Sequence, residues 1–77
     1  MPTFKIHVIN SDFRVCNEIE AHDLNEARDQ GLKGALAIGA EELRKGETAF
    51  FGAEVCVEVQ GEAMHRFLVS MGQSPLR

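Results

Sequence analysis

Two segments near the start of the chain alternate apolar and polar residues with the two-residue period of a β-strand. They cover residues 2–9 and 12–20, and the turn-forming residues Asn10-Ser11-Asp12 lie where the two segments meet. This arrangement predicts a β-hairpin. The apolar positions are even-numbered in the first segment and odd-numbered in the second: Phe4, Ile6 and Val8, then Phe13, Val15 and Ile19. Both sets face one core only if the loop has an even number of residues, as it has with two residues at Asn10-Ser11 or Ser11-Asp12.

A long amphipathic helix is predicted over residues 24–45. Asp23 is a favourable N-cap, and Glu26 three residues later completes an acidic version of the capping box. Lys45 followed by Gly46 is typical of a helix end, because glycine adopts the left-handed conformation that stops a helix. The apolar stripe consists of Leu24, Ala27, Leu32, Ala35, Leu36, Ile38 and Leu43.

Three residues on or near this stripe are unusual for an apolar helix face. Gly31 and Gly39 each cost the helix about 1 kcal/mol relative to alanine, and a close approach of the helix to the sheet would explain them. The guanidinium of Arg28 either pairs with a carboxylate or reaches water while its stem covers the sheet. The candidate carboxylates are those of Glu18, Glu20 and Asp12.

The second half of the chain predicts another pair of strands. A loop over residues 47–52 contains Phe50-Phe51, which we expect to close the end of the core. Residues 53–60 alternate as a strand, Gly61-Glu62 predicts a type II′ turn, and residues 63–70 form the last strand. Residues 71–77 are expected to be a loose tail.

The last strand carries apolar side chains on both faces. Met64 and Leu68 lie on one face, and Phe67 and Val69 lie on the other. The two-residue turn at Gly61-Glu62 would place Met64 and Leu68 with the core valines, whereas a three-residue loop would place Phe67 and Val69 there. In either case apolar side chains remain on the face opposite the helix, where an antiparallel sheet is usually polar.

We therefore expect a partner to cover that face. A chain of 77 residues has a marginal core. A second copy of the chain is the simplest partner, which predicts a homodimer. A different protein is the other possible partner. The candidate partner-binding residues are Ile9, Met64, Phe67 and Val69.

Together these patterns predict a single α+β domain over residues 1–77. The element order is ββαββ, with a four-stranded, mainly antiparallel sheet and one long helix packed on one face. We expect the strand order 2-1-3-4.

Charge and composition narrow the function classes. Twelve acidic residues outnumber eight basic ones, for a net charge of −4, which disfavours binding to nucleic acid. No apolar run reaches the ~20 residues that a membrane span needs, and the first residues do not form a secretion signal. The sequence thus predicts a cytoplasmic protein whose two cysteines, Cys16 and Cys56, are free thiols.

His7, Cys16 and Cys56 share the face opposite the helix by strand parity, and they are the ligand types that zinc and copper prefer. A fourth ligand would have to come from Glu18, Glu58 or His65. If the first strand lies between the second and third, the cysteines are about 9–10 Å apart, too far for a disulfide. The pattern therefore favours free thiols beside an imidazole over a metal site.

The sequence predicts neither a catalytic residue nor a cofactor. The serines at positions 11, 70 and 74 lie in turns or near the end of the chain, with no paired base implied. The helical glycines Gly31, Gly34 and Gly39 lie inside the helix rather than at its start, so they do not form a phosphate-binding loop. A non-enzymatic domain is the resulting expectation.

The order and spacing of these elements resemble a family of short alphaproteobacterial proteins, common in rhizobia, that is classed as a domain of unknown function. The resemblance spans nearly the whole chain. The matching positions are Met1-Pro2, Phe4, Ile6-His7-Val8, Asn10, Asp23-Leu24, Ala27-Arg28, Val57-Glu58-Val59 and Gly61. The chain departs from the family pattern at Ser11, where the turn glycine is usual. The resemblance implies no activity, cofactor or partner.

A weaker resemblance leads to one alternative function. Residues 18–24 followed by an alanine-rich helix are similar to the strand-to-helix junction of Hic-type antitoxins, although the Gly-Tyr stretch of that family and its appended DNA-binding domain are missing. The main prediction is a self-associating or protein-binding domain. The alternatives are an antitoxin-like regulatory partner and a small metal- or redox-sensing protein.

Overall fold

Four antiparallel strands form one open sheet with a single helix on one face. The computed structural model describes residues 1–46 and 48–76. The elements are β1 (Thr3–Ile9), β2 (Arg14–Glu20), α1 (Leu24–Arg44), β3 (Phe50–Val59) and β4 (Glu62–Gly72). The strand order is β2-β1-β3-β4, and all three neighbouring pairs are antiparallel. The predicted α+β class, the ββαββ order and the strand order 2-1-3-4 are confirmed.

The first hairpin has the predicted parity. Phe4 pairs with Ile19, so the apolar sides of β1 and β2 face the same way. The backbone N–H of Asn10 donates to the carbonyl oxygen of Phe13 at 3.0 Å, which leaves Ser11-Asp12 as a two-residue loop. The side-chain oxygen of Asn10 accepts from the N–H groups of Asp12 and Phe13 at 2.8 and 3.1 Å, so an Asx turn closes the loop.

The helix begins and ends where the capping residues predict, within one residue. The Asp23 carboxylate accepts from the N–H of Glu26 at 2.8 Å, and the Glu26 carboxylate accepts from the N–H of His22 at 3.3 Å, one position before the N-cap. At the other end, Lys45 is the C-cap and Gly46 has a φ of 77°, the left-handed conformation expected of a helix stop.

Small residues form the line of contact between α1 and the sheet. The buried helical positions are Ala27, Gly31, Ala35, Gly39 and Leu43, which recur every fourth residue. A Cβ atom on Gly31 would lie 2.9 Å from Val55 Cγ1 and 3.3 Å from Ile6 Cγ2. The predicted close approach is therefore confirmed. The larger apolar side chains of the predicted stripe lie beside this line, and Leu36 is 39% exposed.

Arg28 takes the second of its two predicted arrangements, in which the stem covers the sheet and the guanidinium reaches water. Its side chain is exposed, and the guanidinium carbon lies 4.4 Å from the centroid of the Phe67 ring on β4. This cation–π contact covers one face of the Phe67 ring and leaves the charge in contact with water.

The third strand begins three residues earlier than predicted, at Phe50. Phe51 closes the core as expected: it is buried, and its ring stacks on that of Phe13 with centroids 6.3 Å apart. The expectation for Phe50 is wrong, because this neighbour in the strand points to the opposite face and is 63% exposed. Glu47, which was placed in the same loop, lies outside the described residues.

The last strand is longer than predicted, and the expected tail is shorter. Met71 and Gly72 pair with Phe51 and Phe50, so the boundary at residue 70 is wrong. The side-chain amide of Gln73 then donates at 2.7 Å to the carbonyl oxygen of Leu43, which also accepts from the N–H of Gly46 at 3.1 Å, at the end of α1. Arg77, the last residue of the predicted tail, lies outside the described residues.

The second hairpin differs from the prediction in its turn and in its register. Val59 pairs with Glu62, so the loop is Gln60-Gly61, and the φ values of 50° and 85° at these two residues are those of a type I′ turn. The predicted Gly61-Glu62 turn is wrong. A register shift follows between Val57 and Glu58, which pair with His65 and Ala63, so that Met64 is an extra residue in a β-bulge.

Candidate interaction surface

The sheet face away from α1, which we call the open face, is charged at its centre. Both Nε and Nη2 of Arg66 donate to the Glu54 carboxylate at 3.1 Å. This bidentate contact lowers the pKa of Glu54 below its usual 4.5 and raises the pKa of Arg66. The positive charge of Arg66 on the open face is therefore compensated by Glu54 across β3 and β4.

An apolar cluster lies on the open face beside this ion pair. Ile9, Phe50 and Leu68, which we call the Leu68 patch, line one shallow depression together with Gly52. The Phe50 ring lies over Gly52, because a Cβ atom at that position would be 3.1 Å from the ring. Leu68 is 79% exposed, the highest value for a large apolar residue within any strand or helix of the described chain.

The predicted partner-binding residues divide between the two faces. Ile9 lies on the open face and is half-buried, and Met64 is exposed at the β-bulge. The prediction of an uncovered face for Phe67 and Val69 is wrong, because these residues pair with Val55 and Ala53 and so face α1.

The structure adds Leu68 and Phe50 to the candidate residues. Sequence reasoning missed Leu68 because the bulge at Met64 reverses the faces of β4 relative to a regular two-residue hairpin. It missed Phe50 because the sequence predicts a loop over residues 47–52, where the structure begins β3. The signal that was present is Gly52 two residues after Phe50: a strand glycine leaves room for an aromatic ring on the same face.

The three metal candidates form one row across the open face. His7 lies between its strand partners Cys16 and Cys56. The two thiols are therefore two strand spacings apart, about 9.6 Å at ~4.8 Å per strand, and both cysteines are free. Within residues 1–46 and 48–76, no group of three His, Cys, Asp or Glu side chains is arranged to hold a metal ion.

The suggested fourth ligands do not complete this row. His7 Nε2 lies 3.5 Å from Glu58 Oε1, and its Nδ1 atom is buried without a hydrogen-bond partner in the described chain. His65 pairs with Val57 and so faces α1, away from the two thiols. The row brings His7 and Glu58 into contact but keeps the cysteines on opposite sides of the imidazole.

None of the described residues belongs to a helix that has both the length and the apolar character needed to cross a membrane.

Comparisons of the chain with protein-family models, with curated proteins and with solved structures gave no match. The resemblances to the rhizobial family and to the antitoxins, and the alternative functions, stay predictions.

Proposed function

We propose that this chain is a non-enzymatic domain that self-associates as a homodimer, with Leu68 at the centre of the contact. One observation carries the proposal: Leu68 and Phe50, two large apolar side chains, are 79% and 63% exposed on the same face of the sheet. Single exposed apolar residues are common on monomers, but these two line one depression together with Ile9. A grouped apolar surface of this kind is typical of a protein contact.

The charges around the Leu68 patch are compatible with its burial. Arg66 lies two residues before Leu68 on the same face of β4, and its guanidinium is already paired with Glu54. A contact that covers Leu68 and Arg66 would therefore bury this charge together with its partner, which avoids the penalty of burying it unpaired. Burying a leucine side chain contributes about 1.5–3 kcal/mol, enough for roughly a tenfold to hundredfold change in a dissociation constant.

Sedimentation velocity from about 1 to about 500 µM, a range that spans weak and moderate dimers, tests the proposal. We expect the wild-type mass to rise from 8.5 kDa towards twice that value with concentration. The Leu68→Glu variant should remain a monomer over the whole range, because a carboxylate would have to be desolvated in the contact.

Val15→Glu is the matched control. Val15 is also an exposed aliphatic residue of an outer strand, at 37%, but it lies on the helix side of β2, far from the Leu68 patch. This variant should dimerise as the wild type does. A wild-type protein that sediments at 8.5 kDa at every concentration would rule out self-association.

A further inference from the structure

The backbone of β4 presents a free edge whose chemistry can be assigned residue by residue. The N–H of Gln73 donates to the carbonyl oxygen of its opposite residue Ala49 at 3.0 Å, which continues the β3–β4 ladder. Hydrogen-bonding direction alternates along an antiparallel strand. From residue 65 onward the odd-numbered residues of β4 therefore bond to β3, and the N–H and C=O groups of the even-numbered residues point outward.

The outward residues of β4 carry little that would prevent strand pairing. They are Arg66, Leu68, Ser70 and Gly72, and the one charge among them is bound to Glu54. Charged side chains are the usual means by which proteins protect an edge strand. The regular part of β4, residues 65–72, is thus a long edge without this protection.

The other edge of the sheet is protected. The hydrogen bonds Asn10 to Phe13 and Ala21 to Pro2 show that the odd-numbered residues of β2 bond to β1. The outward residues of β2 are therefore Arg14, Cys16, Glu18 and Glu20. Three of these four are charged, so the two edges differ in the property that decides whether a strand accepts a partner.

Exposed apolar side chains flank β4 on both faces of the sheet. Leu68 lies on the open face. On the helix side, Arg28 of α1 lies over Phe67 of β4. Leu32 and Leu36 follow Arg28 at intervals of four residues and so lie on the same flank of the helix. This flank therefore faces β4. Leu36 is 39% exposed. A partner that covers both sides must supply a strand with a helix layered on it, and a second copy of this chain has that shape.

Resting on the proposed self-association, we infer that two copies pair their β4 edges antiparallel and form a continuous eight-stranded sheet. The regular edge spans residues 65–72, and a pairing centred on Leu68 uses nearly all of it. In this register Leu68 lies opposite the second copy's Leu68, and Arg66 lies opposite the second copy's Ser70. A pairing centred on Arg66 would instead oppose two like charges.

The size of this contact fits a reversible dimer. The paired residues 65–71 extend about 24 Å at ~3.4 Å per residue, and the two shorter dimensions of the domain are 21 and 17 Å. The pairing would bury roughly 500 Å² on each copy, or about 1,000 Å² in total, which is the size of a weak, reversible interface. We therefore expect dissociation in the micromolar range.

Ser70→Pro tests strand pairing separately from simple coverage of the Leu68 patch. Proline at this position removes an outward N–H and leaves the β3–β4 ladder intact, because edge strands tolerate proline at such positions. Sedimentation should show a dimer dissociation constant at least about tenfold weaker than that of the wild type. Thermal unfolding of the diluted monomer should be nearly unchanged.

Cysteine cross-linking tests the register. In a Cys16→Ser, Cys56→Ser background, Leu68→Cys places two thiols opposite each other, and opposed residues have Cα atoms about 5.5 Å apart, within disulfide range. We expect rapid formation of a covalent dimer under mild oxidation. The matched control is the Cys56→Ser chain, whose single thiol Cys16 occupies an outward position on the β2 edge and should cross-link slowly.

The results separate the edge pairing from self-association itself. A wild-type protein that stays monomeric overturns the proposed function. A wild-type dimer whose dissociation constant is unaffected by Ser70→Pro, and in which Leu68→Cys cross-links no faster than Cys16, overturns the edge pairing and leaves self-association standing. A weakened Ser70→Pro dimer together with fast cross-linking at position 68 supports the eight-stranded sheet.

Discussion

At the scale of single residues, the glycines of α1 decide how closely the helix approaches the sheet. Gly31 faces the side chains of Val55 and Ile6 with no space for a methyl group, whereas Gly34 has no atom within 4 Å of where its Cβ would be. Both positions cost the helix similar conformational entropy. Only Gly31 gains close packing in return, so the two glycines have different structural roles.

We expect opposite effects from the same substitution at these two positions. Gly31→Ala should lower the free energy of unfolding by about 1–3 kcal/mol, because the new methyl group overpacks the core. Gly34→Ala should raise it by about 0.5–1 kcal/mol, because alanine is the better helix former at an exposed site. Urea denaturation followed by circular dichroism measures both, and equal effects at the two positions would contradict the close approach of α1.

At the scale of elements, the second hairpin controls which side chains of β4 face the helix. The type I′ turn requires a positive φ at both loop residues, and Gln60 adopts 50° although it is not a glycine. The bulge at Met64 then adds one residue to β4, so that Phe67 and Val69 face the helix and Leu68 faces outward. The exposed Leu68 is thus a consequence of the bulge.

Substitution of Gln60 should reveal the strain in this turn. Asparagine tolerates the left-handed conformation better than glutamine does, so Gln60→Asn should raise the free energy of unfolding by about 0.5–1 kcal/mol. Valine is strongly disfavoured at positive φ, and Gln60→Val should lower it by about 1–2 kcal/mol. Thermal and urea unfolding measure both variants. A Gln60→Val protein as stable as the wild type would exclude the type I′ turn.

At the scale of the whole molecule, acidic residues predominate, and two of them have ion-pair partners that matter below neutral pH. Hydrogen bonds from Arg66 and from Arg44 lower the pKa of Glu54 and of Glu41, respectively, below 4.5. A carboxyl group whose pKa is lower in the folded state than in the unfolded state stabilises the protein at pH values above its unfolded-state pKa. That contribution to stability is lost as the pH falls through the pKa of the carboxyl group in the folded state.

We therefore expect stability to be steady from neutral pH to about 5 and to fall below about 4.5 as Glu54 and Glu41 are protonated. Both pairs are exposed to solvent, so the loss should be small and should shrink at high salt. Thermal unfolding between about pH 3 and 7 at two salt concentrations measures it. Arg66→Met should flatten part of the profile, and an unchanged profile would show that the Glu54 pair does not contribute.

Much of the fold could be predicted because its signals are local. The alternation of β1 and β2 and the caps of α1 at Asp23 and Gly46 are each contained in a few neighbouring residues. The interaction surface could not be predicted in the same way. The sequence places Ile9 correctly on the open face, but it names Phe67 as a surface residue where the structure exposes Leu68. One extra residue in a strand reverses the face of every side chain after it.

The sequence by itself determined the elements, their order and the face that each of the first two strands turns to the core. These follow from hydrophobic periodicity and from hydrogen bonds between residues that are close in the sequence. Only the tertiary structure decided the register of β4 and the start of β3, since both depend on pairing between Phe50-Phe51 and Met71-Gly72. That pairing joins residues about twenty positions apart, and the side chains of Phe51 and Met71 in it pack against α1 at Gly39.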